Sequence, residues 1–426
     1  MYGGLAPERR HPLADREIRS YKIAAPTGPL HRIVPLGGDG VRLQELTFIL
    51  TEDCNFRCAY CLQGRGTGRL GEAEAALAVR FFLPFLAREA VVSFYGGEPL
   101  LAFPVLRDIV ERLEEGRPSG QGHFRYSVTT NGSLLTPEII RFLEVRRFTL
   151  ILSFDGLAQD VLRRPGSYAP TVALIREILV RSRLRFEVNS VFTARTVGLL
   201  RSSVEDMISL GLGTIHLAFS TKPAWDGLSL AALKSELAAL RPAMLSFFRT
   251  HGDIPVSELR GRETTRGLFT CFAGRDRLAV APDGTVWGCY QIFDYSRLAG
   301  NGHAARYVYG DLASLAADPG QLERRMSRAV DGLDQTDLST PRSACLFCPD
   351  LGECAICPWS AALESGVFGL VTGGRLPHRE ASQERTPGAS RSVRLDQPDV
   401  AARRRRASST SACPGSAPFQ SSRNSR

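Results

Sequence analysis

Hydrophobic residues fall into short runs separated by amphipathic stretches. Glu45–Leu50, Val91–Tyr95, Phe124–Thr130, Phe148–Phe154, Arg185–Thr193 and Thr214–Ser220 are runs of strand length. Between them, Glu72–Glu89, Leu101–Glu115, Pro137–Arg146, Thr171–Ser182 and Val197–Leu210 carry apolar residues at helical spacing. In the first of these, Ala76, Val79, Phe82, Leu83 and Leu86 mark the buried stripe, and Pro84 predicts a kink. Pro137 suits the first turn of its helix. Six strands alternating with helices predict parallel βαβ units. Nearly continuous apolar strands predict a sheet buried on both faces. The expected architecture over 44–228 is α/β, a partial (β/α)6 TIM-like barrel. Its functional groups belong at the C-terminal edge of the strands.

The rhythm then changes. Residues 229–255 read as a linker helix. Leu278–Pro282 and Thr285–Gly288 flank Asp283-Gly284 as a β-hairpin. Cysteine-dense sequence follows at 345–357, then a short helix near Ser360–Ser365. Residues 256–369 are therefore expected to form a small cysteine-rich α+β module. Residues 370–426 hold only seven Leu, Ile, Val or Phe among 57 and are rich in Arg, Ser and Pro, so they predict a disordered tail. Out-of-frame GC-rich coding sequence would have this composition. Residues 1–43 read as a short N-terminal extension.

At 426 residues the chain exceeds what one core usually serves. The longest apolar runs are far short of the ~20 residues of a membrane span, and Met1–Arg19 contains no apolar signal region. The expected compartment is the cytoplasm. The net charge is +9, and 50 of the 53 basic residues are arginine. Its placement removes its apparent meaning. The tail holds eleven arginines against four acids, so it carries +7 and leaves +2 on residues 1–369. With a near-neutral body, the basic balance argues little for a polyanionic partner, and nucleic acid is not expected.

Ten cysteines remain to be explained, at 54, 58, 61, 271, 289, 345, 348, 354, 357 and 413. Clustered cysteines without an export signal point to metal ligands rather than disulfides. Cys54, Cys58 and Cys61 stand as C-x3-C-x2-C directly after the first strand. Three thiolates suit a 4Fe–4S cluster with one iron left open. A structural zinc knuckle that borrows a distant ligand fits the spacing equally well.

The motifs downstream separate these readings. Cys54–Cys61, with Tyr60 before the third cysteine, resembles the radical S-adenosylmethionine (SAM) family. So does Tyr95-Gly96-Gly97-Glu98-Pro99 at the end of the second strand. Thr129-Thr130-Asn131-Gly132, Ser153-Phe154-Asp155-Gly156, Asp160-Val-Leu-Arg163 and Asn189 continue the match in order, over roughly residues 44–220. The resemblance implies that Gly96, Gly97, Glu98 and Pro99 meet the SAM amino group and that Arg163, or its neighbour Arg164, pairs with the SAM carboxylate. It places Asn131, Ser153, Asp155 and Asn189 among the cofactor-binding residues. The implied chemistry is reductive cleavage of SAM to a 5′-deoxyadenosyl radical that abstracts a substrate hydrogen. Flavodoxin or ferredoxin is the implied electron donor.

Cys271 and Cys289 stand as C-x12-G-x4-C around Gly284, and Cys345, Cys348, Cys354 and Cys357 stand as C-x2-C-x5-C-x2-C. This looks like the SPASM extension of radical SAM enzymes, which carries two auxiliary 4Fe–4S clusters. By resemblance, Cys271, Cys289 and Cys357 serve the first cluster, and Cys345, Cys348 and Cys354 the second. The chain departs from the pattern in its last interval, and the final cysteine of the pattern is missing from its usual place. SPASM enzymes mostly modify peptides or proteins. The leading expectation is therefore maturation of a ribosomally made peptide, with sulfatase maturation as the alternative. A zinc or iron–sulfur nucleic-acid-binding protein with a basic tail at Arg403–Arg406 is the reading from another class. Asp276 is a candidate catalytic base, with a surface role as its plain alternative.

Overall fold

The computed structural model describes residues 42–63, 66–117, 123–220, 225–259, 273–296 and 308–329, with Cys357 and Leu370. Six strands follow one another as the hydrophobic pattern predicts: β1 (Leu43–Thr51), β2 (Leu86–Gly96), β3 (Arg125–Thr130), β4 (Thr149–Ser153), β5 (Arg185–Phe192) and β6 (Ile215–Phe219). Every neighbouring pair among them is parallel. The intervening helices are α1 (Glu72–Phe82), α2 (Phe103–Gly116), α3 (Pro137–Val145), α4 (Gln159–Leu162), α5 (Tyr168–Arg181) and α6 (Leu200–Ser209).

The first helix is shorter than its apolar spacing predicts. Pro84 cannot donate a backbone hydrogen bond, so α1 stops at Phe82 and passes through a 3-10 turn, Leu83–Phe85. Leu86 then opens β2 opposite Leu43 of β1. The proline ends the helix instead of kinking it. Phe48, Val92 and Phe94 of the sheet pack with Phe82 of α1 and Leu106, Ile109 and Val110 of α2 in one buried cluster. Each such side chain contributes about 1.5–3 kcal/mol on leaving water.

Helix α7 (Gly227–His251) is more than a linker. Asp226 accepts a hydrogen bond from the Ser229 amide and caps the helix, and Gly252 closes it in the left-handed conformation (φ +74°). Leu230, Leu233, Leu240 and Met244 enter the same cluster as Val188 and Phe192 of β5 and Val204 of α6.

The hairpin forms where expected, from β7 (Arg277–Val280) and β8 (Thr285–Trp287), and β9 (Val308–Asp311) extends it. Its placement was not foreseen. β7 pairs in parallel with β1, so one nine-stranded sheet runs β6-β5-β4-β3-β2-β1-β7-β8-β9. Val280, Val286, Tyr309, Leu312 and Leu315 share the core of the barrel. The start of the cysteine-rich region thus widens the barrel wall instead of forming a separate sheet. Three further helices are described there: α8 (Tyr290–Ser296), α9 (Leu312–Ala317) and α10 (Gly320–Ala329). The expected extension before Arg42, the short helix near 360–365 and the tail after Leu370 lie outside the described residues. Among the described residues, no helix is long and apolar enough to cross a membrane.

Candidate functional site: a cysteine loop over a barrel cavity

The loop after β1 carries Cys54, Cys58 and Cys61, and all three line one cavity of about 400 Å³. The cavity lies where parallel strands end and loops begin. Gly96, Gly97 and Glu98 line it from the end of β2, Thr129–Asn131 from β3, Ser153 from β4, and Asn189 and Val191 from β5. Ala218, Phe219 and Ser220 complete the barrel side, and Arg163 reaches in from the end of α4.

Its own backbone holds the cysteine loop. The Gly97 amide donates to the Thr51 carbonyl at 2.7 Å, and the Glu98 amide to the Asp53 carbonyl at 2.9 Å. These contacts require glycine. A Cβ on Gly96 would stand 2.3 Å from the Thr51 oxygen, and one on Gly97 would stand 2.1 Å from the Asp53 oxygen. The Gly-Gly pair therefore seats the root of the cysteine loop on β2, a role the motif alone did not reveal.

Glu98 is 1% exposed. Its Oε1 accepts from Thr130 Oγ1 at 2.6 Å and from the Leu100 amide at 3.1 Å, and its Oε2 accepts from the Asn131 amide at 2.8 Å. Burial raises its carboxyl above the usual range, and these three donors pull it back. One acceptor position remains on Oε2, enough for one donor from the cavity.

Arg163 and Arg164 have separate roles. Arg163 pairs with Asp155 through Nε and Nη2, both at 2.8 Å, and Nη2 also reaches the Asn189 carbonyl at 3.3 Å. Burial pulls this guanidinium down, but the Asp155 charge and hydrogen bonds outweigh it and hold the guanidinium protonated. Its Nη1 has no partner among the described residues, which leaves a donor fork edge for an anion in the cavity. Arg164 instead stacks over the Phe56 ring at 5.5 Å. Asp155, expected among the cofactor contacts, is fully buried and is not in the cavity lining. It also accepts from Tyr60 at 3.0 Å and from the Val191 amide at 2.8 Å, so it orients other groups. Pro99 is buried at the start of a 3-10 turn, Pro99–Ala102, behind the lining.

The thiols behave as a group. Burial pushes Cys58 up to about 11, with Arg163 opposing and Cys61 and Cys54 adding to the rise. Burial also raises Cys54, against a hydrogen bond from the Phe56 amide at 3.4 Å. Among the described residues, no three His, Cys, Asp or Glu side chains are gathered to hold a single metal ion. Three soft thiols set around a cavity that Glu98 and Arg163 also line fit a larger cluster that also holds an amino acid.

On the other side of the cavity, α8 contributes Gln291 and Asp294, and the loop contributes Gln63. Sequence reasoning missed these residues, because no motif marks them. Burial pushes Asp294 up to about 7, and no hydrogen-bond donor or cation partners it among the described residues. Asp276, the base candidate, sits elsewhere. Its carbonyl accepts from the Gln44 and Glu45 amides, ahead of β7 and at the opposite edge of the sheet. Of the second set of cysteines, Cys289 and Cys357 both bear on the Tyr290 phenol, and Cys357 donates to Gln291 Oε1 at 3.5 Å. Cys271, Cys345, Cys348 and Cys354 lie outside the described residues.

The fold and the sequence are similar to those of known proteins. A solved structure of anSMEcpe with bound AdoMet matches the fold with a TM-score of 0.60 and 14% identity, over 80% of this chain and 91% of that one. The mycofactocin maturase MftC of Mycobacterium ulcerans is 27% identical over 274 residues, 60% of this chain and 70% of its own length. The AdoMet-dependent heme synthase of Methanosarcina barkeri is 30% identical over 180 residues, 40% of this chain and 48% of its own. The chain spans about half to three-fifths of the length of three curated relatives that it matches. The model of the radical SAM superfamily matches residues 48–211. The matched segment contains the cysteine loop and most of the strand-end residues that line the cavity, so over this stretch the chain is similar to the radical SAM superfamily.

Proposed function

We propose that this protein is a radical SAM enzyme that modifies a ribosomally made peptide or a protein side chain. The observation that carries the reading is the convergence of Cys54, Cys58, Cys61, Glu98, Arg163 and Asn189 on one cavity at the C-terminal edge of a parallel barrel. When bound, a 4Fe–4S cluster and SAM supply a carbon-centred radical able to take hydrogen from an unactivated carbon. The chain's own residues do the rest. The three thiolates hold the cluster, Oε2 of Glu98 receives an ammonium and Nη1 of Arg163 receives a carboxylate. The strand ends and α8 wall the cavity.

A peptide or protein substrate is favoured by the similarity to a mycofactocin maturase, which extends over 274 residues and so beyond the barrel segment. In this reading the region after α7 is a SPASM-type module, and Cys289 and Cys357 serve one auxiliary cluster. Cys289 directly precedes α8 and Cys357 donates to Gln291 of the same helix, which supports that pairing. A flavodoxin or ferredoxin supplies the electron.

Anaerobic reconstitution with iron and sulfide, followed by dithionite reduction in the presence of SAM, tests the reading. The expected products are 5′-deoxyadenosine and methionine, and Cys58→Ala abolishes both. A colourless protein that binds zinc instead, or undiminished 5′-deoxyadenosine from Cys58→Ala, overturns it.

A further inference from the structure

Asn131 was expected to touch the cofactor. The structure gives its side chain another occupation. Asn131 Nδ2 donates to Asn55 Oδ1 at 2.8 Å. Asn55 Nδ2 donates to Ser133 Oγ at 2.8 Å. Ser133 Oγ donates to Asn131 Oδ1 at 2.6 Å, and the Ser133 amide reaches the same oxygen at 2.9 Å. The three side chains form a closed ring in which each donates to the next and accepts from the last. Such a directed ring polarises its members cooperatively. Both lone pairs of Asn131 Oδ1 and one of its two amide hydrogens are engaged.

The ring joins two parts of the site. Asn55 follows Cys54 directly, whereas Asn131 and Ser133 belong to the end of β3. The Asn131 amide also donates to Glu98 Oε2, so the ring continues into the buried carboxylate beside the Gly-Gly seat. At its far end the same loop is tied by the Ala59 amide to the Leu162 carbonyl at 2.7 Å and by Tyr60 to Asp155. Asn55 is thus the tie that secures the first cysteine, between the Gly-Gly seat at the root and the Tyr60 anchor at the end.

We propose that Asn131 is a positioning residue that, through Asn55 and Ser133, holds Cys54 in its ligating place, and that the loop is shaped by the protein before any cluster is loaded. The proposal rests on reading the loop as a cluster cradle, but the brace can be measured without a cluster. In the full-length apo-protein, Asn55→Ala and Asn131→Ala each raise the rate of Cys54 alkylation by iodoacetamide about fivefold, the factor for one neutral hydrogen bond near 1 kcal/mol. The double variant is no faster than either single one. Ser133→Ala behaves alike, and Ser133→Thr, which keeps the hydroxyl, returns to the wild-type rate. In reconstituted protein, Asn55→Ala and Asn131→Ala change the electron paramagnetic resonance signal of the reduced cluster in the same way.

A role for Asn131 as cofactor ligand predicts something else. Asn131→Ala alone would then lose the spectral response to SAM, while Asn55→Ala would match wild type in alkylation and spectrum. That result overturns the brace. Asn55 and Ser133 are exposed at the rim, so their variants also serve if Asn131→Ala does not fold. Failure of wild type to cleave SAM defeats the functional reading and leaves the alkylation comparison to decide the brace.

Discussion

Gly97→Ala separates two explanations of the Gly-Gly-Glu-Pro motif. Gly97 does not have a positive φ, so alanine fits its backbone conformation and the effect is steric. The new Cβ would meet the Asp53 carbonyl oxygen at 2.1 Å, its carbon at 2.6 Å and the Glu52 oxygen at 2.9 Å. These are backbone atoms and cannot rotate away. Ordinary contact begins at 3.4 Å, so the strand end and the loop root must part by about 1.3 Å. That movement breaks the bonds from the Gly97 and Glu98 amides to Thr51 and Asp53. Two neutral hydrogen bonds at about 1 kcal/mol each, with about 1 kcal/mol or more of overpacking, give a loss near 3 kcal/mol. Asp53 adjoins Cys54, so the movement reaches the first thiolate. The assay is iron and sulfide per chain after anaerobic reconstitution, read beside denaturant unfolding of the apo-protein. We expect lowered stability and less than half of the wild-type iron. If Gly97→Ala keeps full iron and stability but loses only SAM binding, glycine serves the cofactor's approach alone and the steric reasoning is refuted.

Other consequences can be measured on the purified protein. Asp155→Ala strips the partner from a buried guanidinium, and removing one member of a buried pair costs about 3–5 kcal/mol; an unfolding free energy from denaturant titration within about 1 kcal/mol of wild type would falsify this. Asp294 carries a folded-state value near 7 against 3.8 for the unstrained group. The folded state therefore holds the proton between about pH 4 and 7, and the fold loses stability as pH rises through that window. Asp294→Asn removes the penalty, so its thermal midpoint exceeds that of wild type at pH 8 and matches it near pH 4, with a ceiling of about 4 kcal/mol. An equal offset at both pH values would show that Asp294 does not titrate as described. His216 lies between Glu187, at 3.2 Å, and Glu258, at 3.7 Å, and hydrogen bonding to Glu258 raises it above the ordinary value. Because its folded value is raised, the stability it adds is complete below the unfolded value and is lost as pH rises through the folded one. His216→Gln is therefore expected to destabilise at pH 5.5 and to have less effect at pH 8.5.

Much of the barrel was legible because its strands are short, mostly apolar runs bounded by turn residues. Burial on both faces holds for β1 from Leu46 to Thr51, whereas β3, β4 and β5 alternate buried with half-buried positions. Helix ends were harder to place: Leu86 continues the helical spacing of α1, yet it pairs with Leu43 because Pro84 has already ended the helix. The parallel pairing of β7 with β1 was not legible, since a hairpin signal around Asp283-Gly284 says nothing about which sheet receives it. In the site, the motif order identified the residues that surround the cavity but not their duties. Asp155 and Asn131 look equivalent in the sequence, as single polar residues after a strand. One is sealed away beneath Arg163 and the other lines the cavity while tied to Asn55. Side-chain direction and the partners a residue finds across strands determine such roles, and neither is written in local spacing.

The junction of β7 with β1 gives the cavity its second wall. β7 continues the sheet, β8 returns antiparallel to it, and α8 begins directly after Cys289. Tyr290, the first residue of α8, meets Tyr95 of β2 at a ring separation of 4.4 Å, one position before the Gly-Gly seat. That contact packs the start of α8 against the end of β2. Gln291 and Asp294, three residues apart and so on one helical face, then both face the cavity. The groups that hold the expected cofactor come from the barrel and its cysteine loop, while this wall comes from the region that follows α7. Variation after α7 can therefore change what the cavity accepts while Glu98, Arg163 and the three thiols keep their places. Under the proposed function, a substrate that enters the cavity would meet Gln291 and Asp294 of α8 as well as Val191, Ala218 and Phe219 of the barrel.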